Sequence, residues 1–137
     1  MSFGNESSEI KVEQVERRSA DFPGEWLFTW RVQNNTAEPM RLLSIRVPHE
    51  KFRATEKTFE RPLEISVGTS VTFDMTVFCD QPQESIVENA FLILLIDWRQ
   101  AHWRLFVRLQ IRVNKQAMPD TVIASITLQR VGFSGIS

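Results

Sequence analysis

Apolar and polar residues alternate along most of this chain. Trp26, Phe28, Trp30 and Val32 fall on one side, with Leu27, Thr29, Arg31 and Gln33 on the other. That is the period of a strand with one buried face. Ile10 and Val12 alternate with Lys11 and Glu13 in a modest first strand that should end near Arg17. A third strand sets Leu43, Ile45 and Val47 against Leu42, Ser44 and Arg46, and Pro48 should end it because proline cannot donate to a ladder. Residues 49–62 read as charged and irregular, with at most a short edge strand around Phe52. Leu63, Ile65 and Val67 lead into a turn at Gly68-Thr69. The cleanest alternation follows, with Val71, Phe73, Met75, Val77 and Cys79 inward and Thr72, Asp74 and Thr76 outward. Two long strands, Ala90 to Trp98 and Trp103 to Val113, and a last run from Thr121 to Val131 complete the pattern. Asp21-Phe22-Pro23-Gly24, the stretch from Asn34 to Pro39, that from Asp80 to Ser85 and the linker from Gln116 to Asp120 supply the turns. No segment of useful length has a helical period.

Short strands with turn signals every 8–12 residues predict an all-β, antiparallel β-sandwich of about seven to eight strands. Residues 9–131 form one domain in this reading, between a fraying polar N-terminus (residues 1–8) and a flexible C-terminal tail (residues 132–137). Between Glu25 and Asn114 stand Trp30-Arg31-Val32-Gln33-Asn34-Asn35-Thr36 before a proline, and a run from Leu63 to Phe73 that enters a later strand. On these pieces that region resembles the immunoglobulin-like and fibronectin-III-like modules of bacterial multi-domain proteins. The resemblance implies an immunoglobulin-like sandwich and says nothing of function. The chain departs from antibody domains in lacking a Cys–Trp–Cys core, and it has no tyrosine.

One stretch breaks the alternation. Ala90-Phe91-Leu92-Ile93-Leu94-Leu95-Ile96 is apolar throughout, whereas a strand with one wet face should alternate. Arg99-Gln100-Ala101-His102 has the length of a four-residue hairpin loop, which sets Trp98 opposite Trp103. In that register Ile96, Leu94, Leu92 and Ala90 meet Leu105, Val107, Leu109 and Ile111 in the core. The outer face then pairs Asp97 with Arg104, Leu95 with Phe106, Ile93 with Arg108 and Phe91 with Gln110. A one-residue slip would drive Arg104 and Arg108 into the core. The outer face therefore carries an apolar island, Phe91, Ile93, Leu95 and Phe106, fringed by Arg104, Arg108 and Arg112. Full burial of each such side chain contributes about 1.5–3 kcal/mol, and patches of this kind mark interaction sites. Three covers are open: the chain itself (its N-terminal segment, or the strand bearing Val122, Ala124, Ile126 and Leu128), a second copy in a homodimer, or another protein. The tail around Phe133 could serve as an arm that docks on a neighbour.

The chain has 137 residues, long enough for one domain with a core. Sixteen basic residues nearly cancel seventeen acidic ones, for a net charge of -1, which argues against a global pull toward nucleic acid or anionic lipid. The N-terminus lacks a signal-peptide pattern and no apolar run approaches a membrane span, so a cytoplasmic protein is expected. The single cysteine, Cys79, should be a buried thiol. The sequons Asn5-Glu6-Ser7 and Asn34-Asn35-Thr36 are then chance matches.

Candidate chemistry is sparse. His49, His102 and Cys79 are scattered over three elements, which does not suit a metal site, and both histidines read as loop residues. Gly132-Phe133-Ser134-Gly135-Ile136 is not a nucleophile elbow. The carboxylates Glu56, Glu60, Glu64, Asp74, Asp80, Glu84 and Glu88 are not placed in opposition by the sequence, and the five glycines build no phosphate loop. The sequence thus predicts a non-catalytic interaction or assembly module without a cofactor, whose partner-binding residues are Phe91, Ile93, Leu95, Phe106, Arg104 and Arg108. An alternative is a ligand- or nucleic-acid-binding face on which Arg104, Arg108 and Arg112, joined by Arg31, Arg41 and Arg46, surround Phe106 and Trp103.

Overall fold

The computed structural model describes residues 9–132. The expected flexible N-terminus, the Phe133 arm and the rest of the tail lie outside those residues. Eight strands follow one another: β1 (Ile10–Ser19), β2 (Glu25–Asn34), β3 (Met40–His49), β4 (Phe52–Ile65), β5 (Ser70–Phe78), β6 (Ile86–Trp98), β7 (Ala101–Val113) and β8 (Pro119–Arg130). All pair antiparallel in the order β1-β2-β5-β4-β3-β6-β7-β8. The sheet curls until its two edges nearly meet. There Thr121 Oγ1 donates to Gln14 Oε1 at 2.7 Å and Arg17 pairs with Asp120 at 2.5 Å. The result is an all-β, barrel-like body whose β1 and β8 are joined by side chains rather than by a ladder.

The inward faces supply the core. Phe28, Trp30 and Val32 of β2, Leu92, Leu94 and Ile96 of β6, and Leu105, Val107 and Leu109 of β7 are all buried, as their period-two spacing requires. Phe28 stacks beside Trp30 at 5.8 Å and meets the edge of Phe52 at 5.5 Å.

Two expected elements differ. Residues 49–62 are not irregular: Phe52–Ile65 is one continuous 14-residue strand. Its outward residues are charged and its inward ones sparse, because register shifts against β3 break the alternation. Strand β3 runs through Pro48 to His49 and carries a bulge at Leu43, so Met40, Leu42, Ile45 and Val47 are the buried set. An inserted residue changes the face of everything beyond it. Both histidines lie in strands, His49 at the end of β3 and His102 in β7.

Asn34 closes β2 with a buried polar knot. Its amide donates to the carbonyls of Glu38 and Ile65, both at 2.9 Å. Its Oδ1 accepts from Thr36 N at 2.9 Å and Thr36 Oγ1 at 2.6 Å. Trp98 Nε1 reaches Thr36 Oγ1 at 3.2 Å. With Asn34 fully buried, that sequon is a packing motif.

Candidate functional site

The β6–β7 hairpin decides what the outer face presents. Its loop is two residues, Arg99-Gln100, and not four, so Trp98 pairs with Ala101 and Ile96 with Trp103. Both loop residues have left-handed backbones (φ 51° and 60°), the geometry of a type I′ turn. That turn favours Asn-Gly, which is why Arg-Gln did not announce it. Arg99 instead stacks its guanidinium 4.1 Å from the Trp98 ring and lies 3.7 Å from Glu38.

The slip is of two residues, so every side chain keeps its expected face while every pair changes. Leu95 lies opposite Arg104, Ile93 opposite Phe106 and Phe91 opposite Arg108. The expected Asp97–Arg104 pair does not form. Asp97 accepts from Arg41 Nη2 at 3.0 Å and contacts His102 Nδ1. An open cleft of about 570 Å³ lies beside this pair, between the β6–β7 turn and Pro39, Met40 and Glu64.

The island forms as a contiguous patch on β6 and β7. Phe91 and Phe106 meet edge to face at 6.3 Å, with Ile93 directly across from Phe106. On one flank β3 sets Ser44 beside Leu95 and Arg46 beside Ile93. On the other, β8 sets Thr127 beside Phe106, Gln129 beside Arg104 and Ser125 beside Arg108. Strand β8 therefore lies next to the island and does not fold over it. Its Ile123, Ile126 and Leu128 face inward with β7. No described segment covers the patch, and its four apolar residues are half-buried within the sheet surface. Arginine stems lying along apolar neighbours account for part of that shielding.

The rim is cationic. Arg46, Arg104, Arg108 and Arg112 surround the island, and among the described residues no carboxylate pairs with any of them. Arg108 donates to Ser125 Oγ at 3.2 Å and Asn89 Oδ1 at 3.3 Å, and Arg112 donates to Gln110 Oε1 at 2.6 Å. Arg31 and Arg41 do not belong to this rim, since they pair with Glu13 and Asp97. Trp103 is absent from it as well. It points to the opposite face, packs against Trp98 at 5.4 Å and donates Nε1 to the Trp98 carbonyl at 2.9 Å. The combined Arg/Trp face is therefore not assembled, because Trp103 and the arginines sit at odd and even positions of one strand.

Cys79 is buried, and that burial together with the neighbouring Asp80 charge pushes its thiol up to about 11, against a lowering bond from the Gln81 backbone. Such a thiol is a poor nucleophile. Among the described residues no group of three or more His, Cys, Asp or Glu side chains is placed to hold a metal. No helix there is long and apolar enough to cross a membrane.

No protein-family model and no curated protein matches this chain. Among solved structures it is similar to a crystal structure described as Northeast Structural Genomics Consortium target SoR45. The identity is 12%, over 91% of this chain and 86% of that one, with a TM-score of 0.34. A likeness at that level carries no argument about either protein's role.

Proposed function

We propose that this protein is a non-catalytic interaction module that docks a partner protein on the outer face of β6 and β7. Phe91, Ile93, Leu95 and Phe106 are buried in the contact, while Arg104 and Arg108 fix its orientation. One observation carries this: a contiguous apolar patch ringed by four arginines that the described residues leave without carboxylates. Unpaired guanidinium groups around apolar surface favour a partner with an apolar centre and an acidic rim. A second copy meeting the same patch about a two-fold axis would bring like-charged rims together. The scaffold is, in this proposal, an immunoglobulin-like sandwich. The order β1-β2-β5-β4 followed by β3-β6-β7 supports it, because it matches the two sheets of a constant-type domain with β8 added. The proposal keeps the cytoplasmic setting expected from the sequence, where the free thiol of Cys79 stays reduced.

The test compares partners retained from lysate by the wild type, Phe106→Asp, and Arg104→Ala combined with Arg108→Ala. Val15→Asp, an exposed apolar site on β1, is the control. A partner held by the wild type and Val15→Asp but lost from both face variants supports the proposal. Retention that ignores Phe106 refutes it. Light scattering over a dilution series reads self-association separately, and a dimer disrupted by Phe106→Asp would replace the foreign partner with a second copy.

A further inference from the structure

Within the strand order, the junction of β4 and β5 is weakly paired. Strand β5 pairs with β2 over nine residue pairs, from Glu25↔Phe78 to Gln33↔Ser70. Toward β4 it makes a single pair, Arg53↔Phe78. Continuing that register would set Thr55 opposite Thr76, Lys57 opposite Asp74 and Phe59 opposite Thr72, yet none of these pairs forms. The strands diverge from their Arg53–Phe78 end, where the guanidinium also lies 4.4 Å from the Phe78 ring. A groove of about 550 Å³ lies over this end of the sheet, reaching from Arg53 and Lys57 of β4 across Asp74 and Thr76 of β5 to Glu25 and Leu27 of β2.

Backbone direction tells what the groove offers. The Asp74 carbonyl accepts Lys57 Nζ at 3.0 Å, so it points to the β4 side, away from β2. Backbone groups alternate sides along an antiparallel strand. Thr72 and Thr76 therefore also turn their amides and carbonyls toward the groove. Lys57 supplies with a side chain the donor that a neighbouring strand would supply with an amide. The inward side of this edge is apolar: Phe59 and Phe73 meet edge to face at 6.3 Å, and Phe73 and Met75 are buried.

We propose that the β4–β5 groove takes up an extended segment of a partner polypeptide, which pairs with the free edge of β5 as an inserted strand and displaces Lys57. An open backbone edge is complemented by another backbone in extended form. The inserted segment alternates, with apolar side chains toward Phe59 and Phe73 and polar ones outward. The segment's own amide replaces the Lys57 bond to the Asp74 carbonyl, and a basic residue at that position pairs with the Asp74 carboxylate, which accepts from Thr29 Oγ1 at 2.7 Å. A second copy does not fit this edge. Two β5 edges paired about a two-fold axis centred on Asp74 would oppose their carboxylates, and the closed Arg53–Phe78 end admits a lone strand rather than another sheet.

The probe is a synthetic peptide alternating valine and threonine around a central lysine, titrated into the full chain and followed by amide NMR and hydrogen exchange. In the free protein the amides of Thr72, Asp74 and Thr76 should exchange faster than those of Phe73, Met75 and Val77. The peptide should then protect the first set. Lys57→Ala should tighten binding about threefold to tenfold, the equivalent of one displaced hydrogen bond. Thr72→Pro removes an edge amide that β2 does not use, and it should weaken binding about tenfold or more. Should that variant fail to fold, the peptide N-methylated at alternate amides tests the same bond and should not bind. Equal protection of both amide sets in the free protein overturns the proposal. So does binding indifferent to Thr72→Pro or to N-methylation, or no binding to Lys57→Ala. Phe106→Asp should leave this binding unchanged, which separates it from the β6–β7 face.

Discussion

Replacing Asn34 by alanine would untie the knot that joins the end of β2 to β4 and β6. The side chain donates to the Ile65 and Glu38 carbonyls and accepts from the Thr36 amide and hydroxyl, within a fully buried site. In the alanine variant the Ile65 carbonyl and the Thr36 amide lose these partners inside a buried site. Each orphaned buried group costs about 1–3 kcal/mol. The Glu38 carbonyl takes the Thr36 hydroxyl hydrogen that Asn34 releases, across 2.9 Å, so it adds little. The sum is about 3 kcal/mol, which for a chain of this size lowers Tm by about 6–12 °C. Urea unfolding followed by tryptophan fluorescence measures it, and Asn34→Asp should be worse because it buries a carboxylate and removes both donors. Combining Asn34→Ala with Thr36→Val should cost less than the two single changes added together, since they break shared bonds. If Asn34→Ala unfolds within about 0.5 kcal/mol of wild type, the hydrogen bonds do not hold this corner.

Other outcomes follow from the same geometry. Arg99→Asn with Gln100→Gly should stabilise the hairpin by about 1 kcal/mol, because relief of two left-handed backbones exceeds the lost stacking on Trp98; a lower urea midpoint would contradict this. Gly24→Ala should destabilise, since φ is +83° and a Cβ would stand 3.1 Å from Phe78 Cε1. The expected loss is about 1–3 kcal/mol, read by thermal unfolding. Cys79 should resist alkylation near pH 8 in the native state and react once urea unfolds the chain. Its folded pKa lies above the unfolded value, so only the unfolded thiol ionises between about 9 and 11. Stability should therefore be unaffected by this group below that window and fall as pH rises through it, by comparison with Cys79→Ala.

The arrangement of strands along the chain was legible because period-two alternation is a local property. The buried faces of β2, β5, β6 and β7 can be read from Trp26 to Val32, Val71 to Cys79 and Ala90 to Ile111 without any knowledge of neighbours. The outward direction of Phe91, Ile93, Leu95 and Phe106 was legible for the same reason, and it survived a two-residue error in the hairpin because parity, not register, decides the face. Register itself was not legible. A type I′ turn at Arg99-Gln100 carries no Asn-Gly signal, and the contact of Arg99 with Glu38 exists only once the chain entering β3 lies beside β6. Nor could alternation reveal β4, whose bulges against β3 scramble its period. Whether β8 lies over the island or beside it is a question of which edge of β7 it pairs with, and only the assembled sheet answers that. The same holds for the arginines. Each is visible in the sequence, but a guanidinium counts as unpaired only when the strands on both sides have shown where their carboxylates point. Where no bulge intervenes, side-chain facing is fixed within a few residues of chain, while bulges and partnership are fixed across dozens of them.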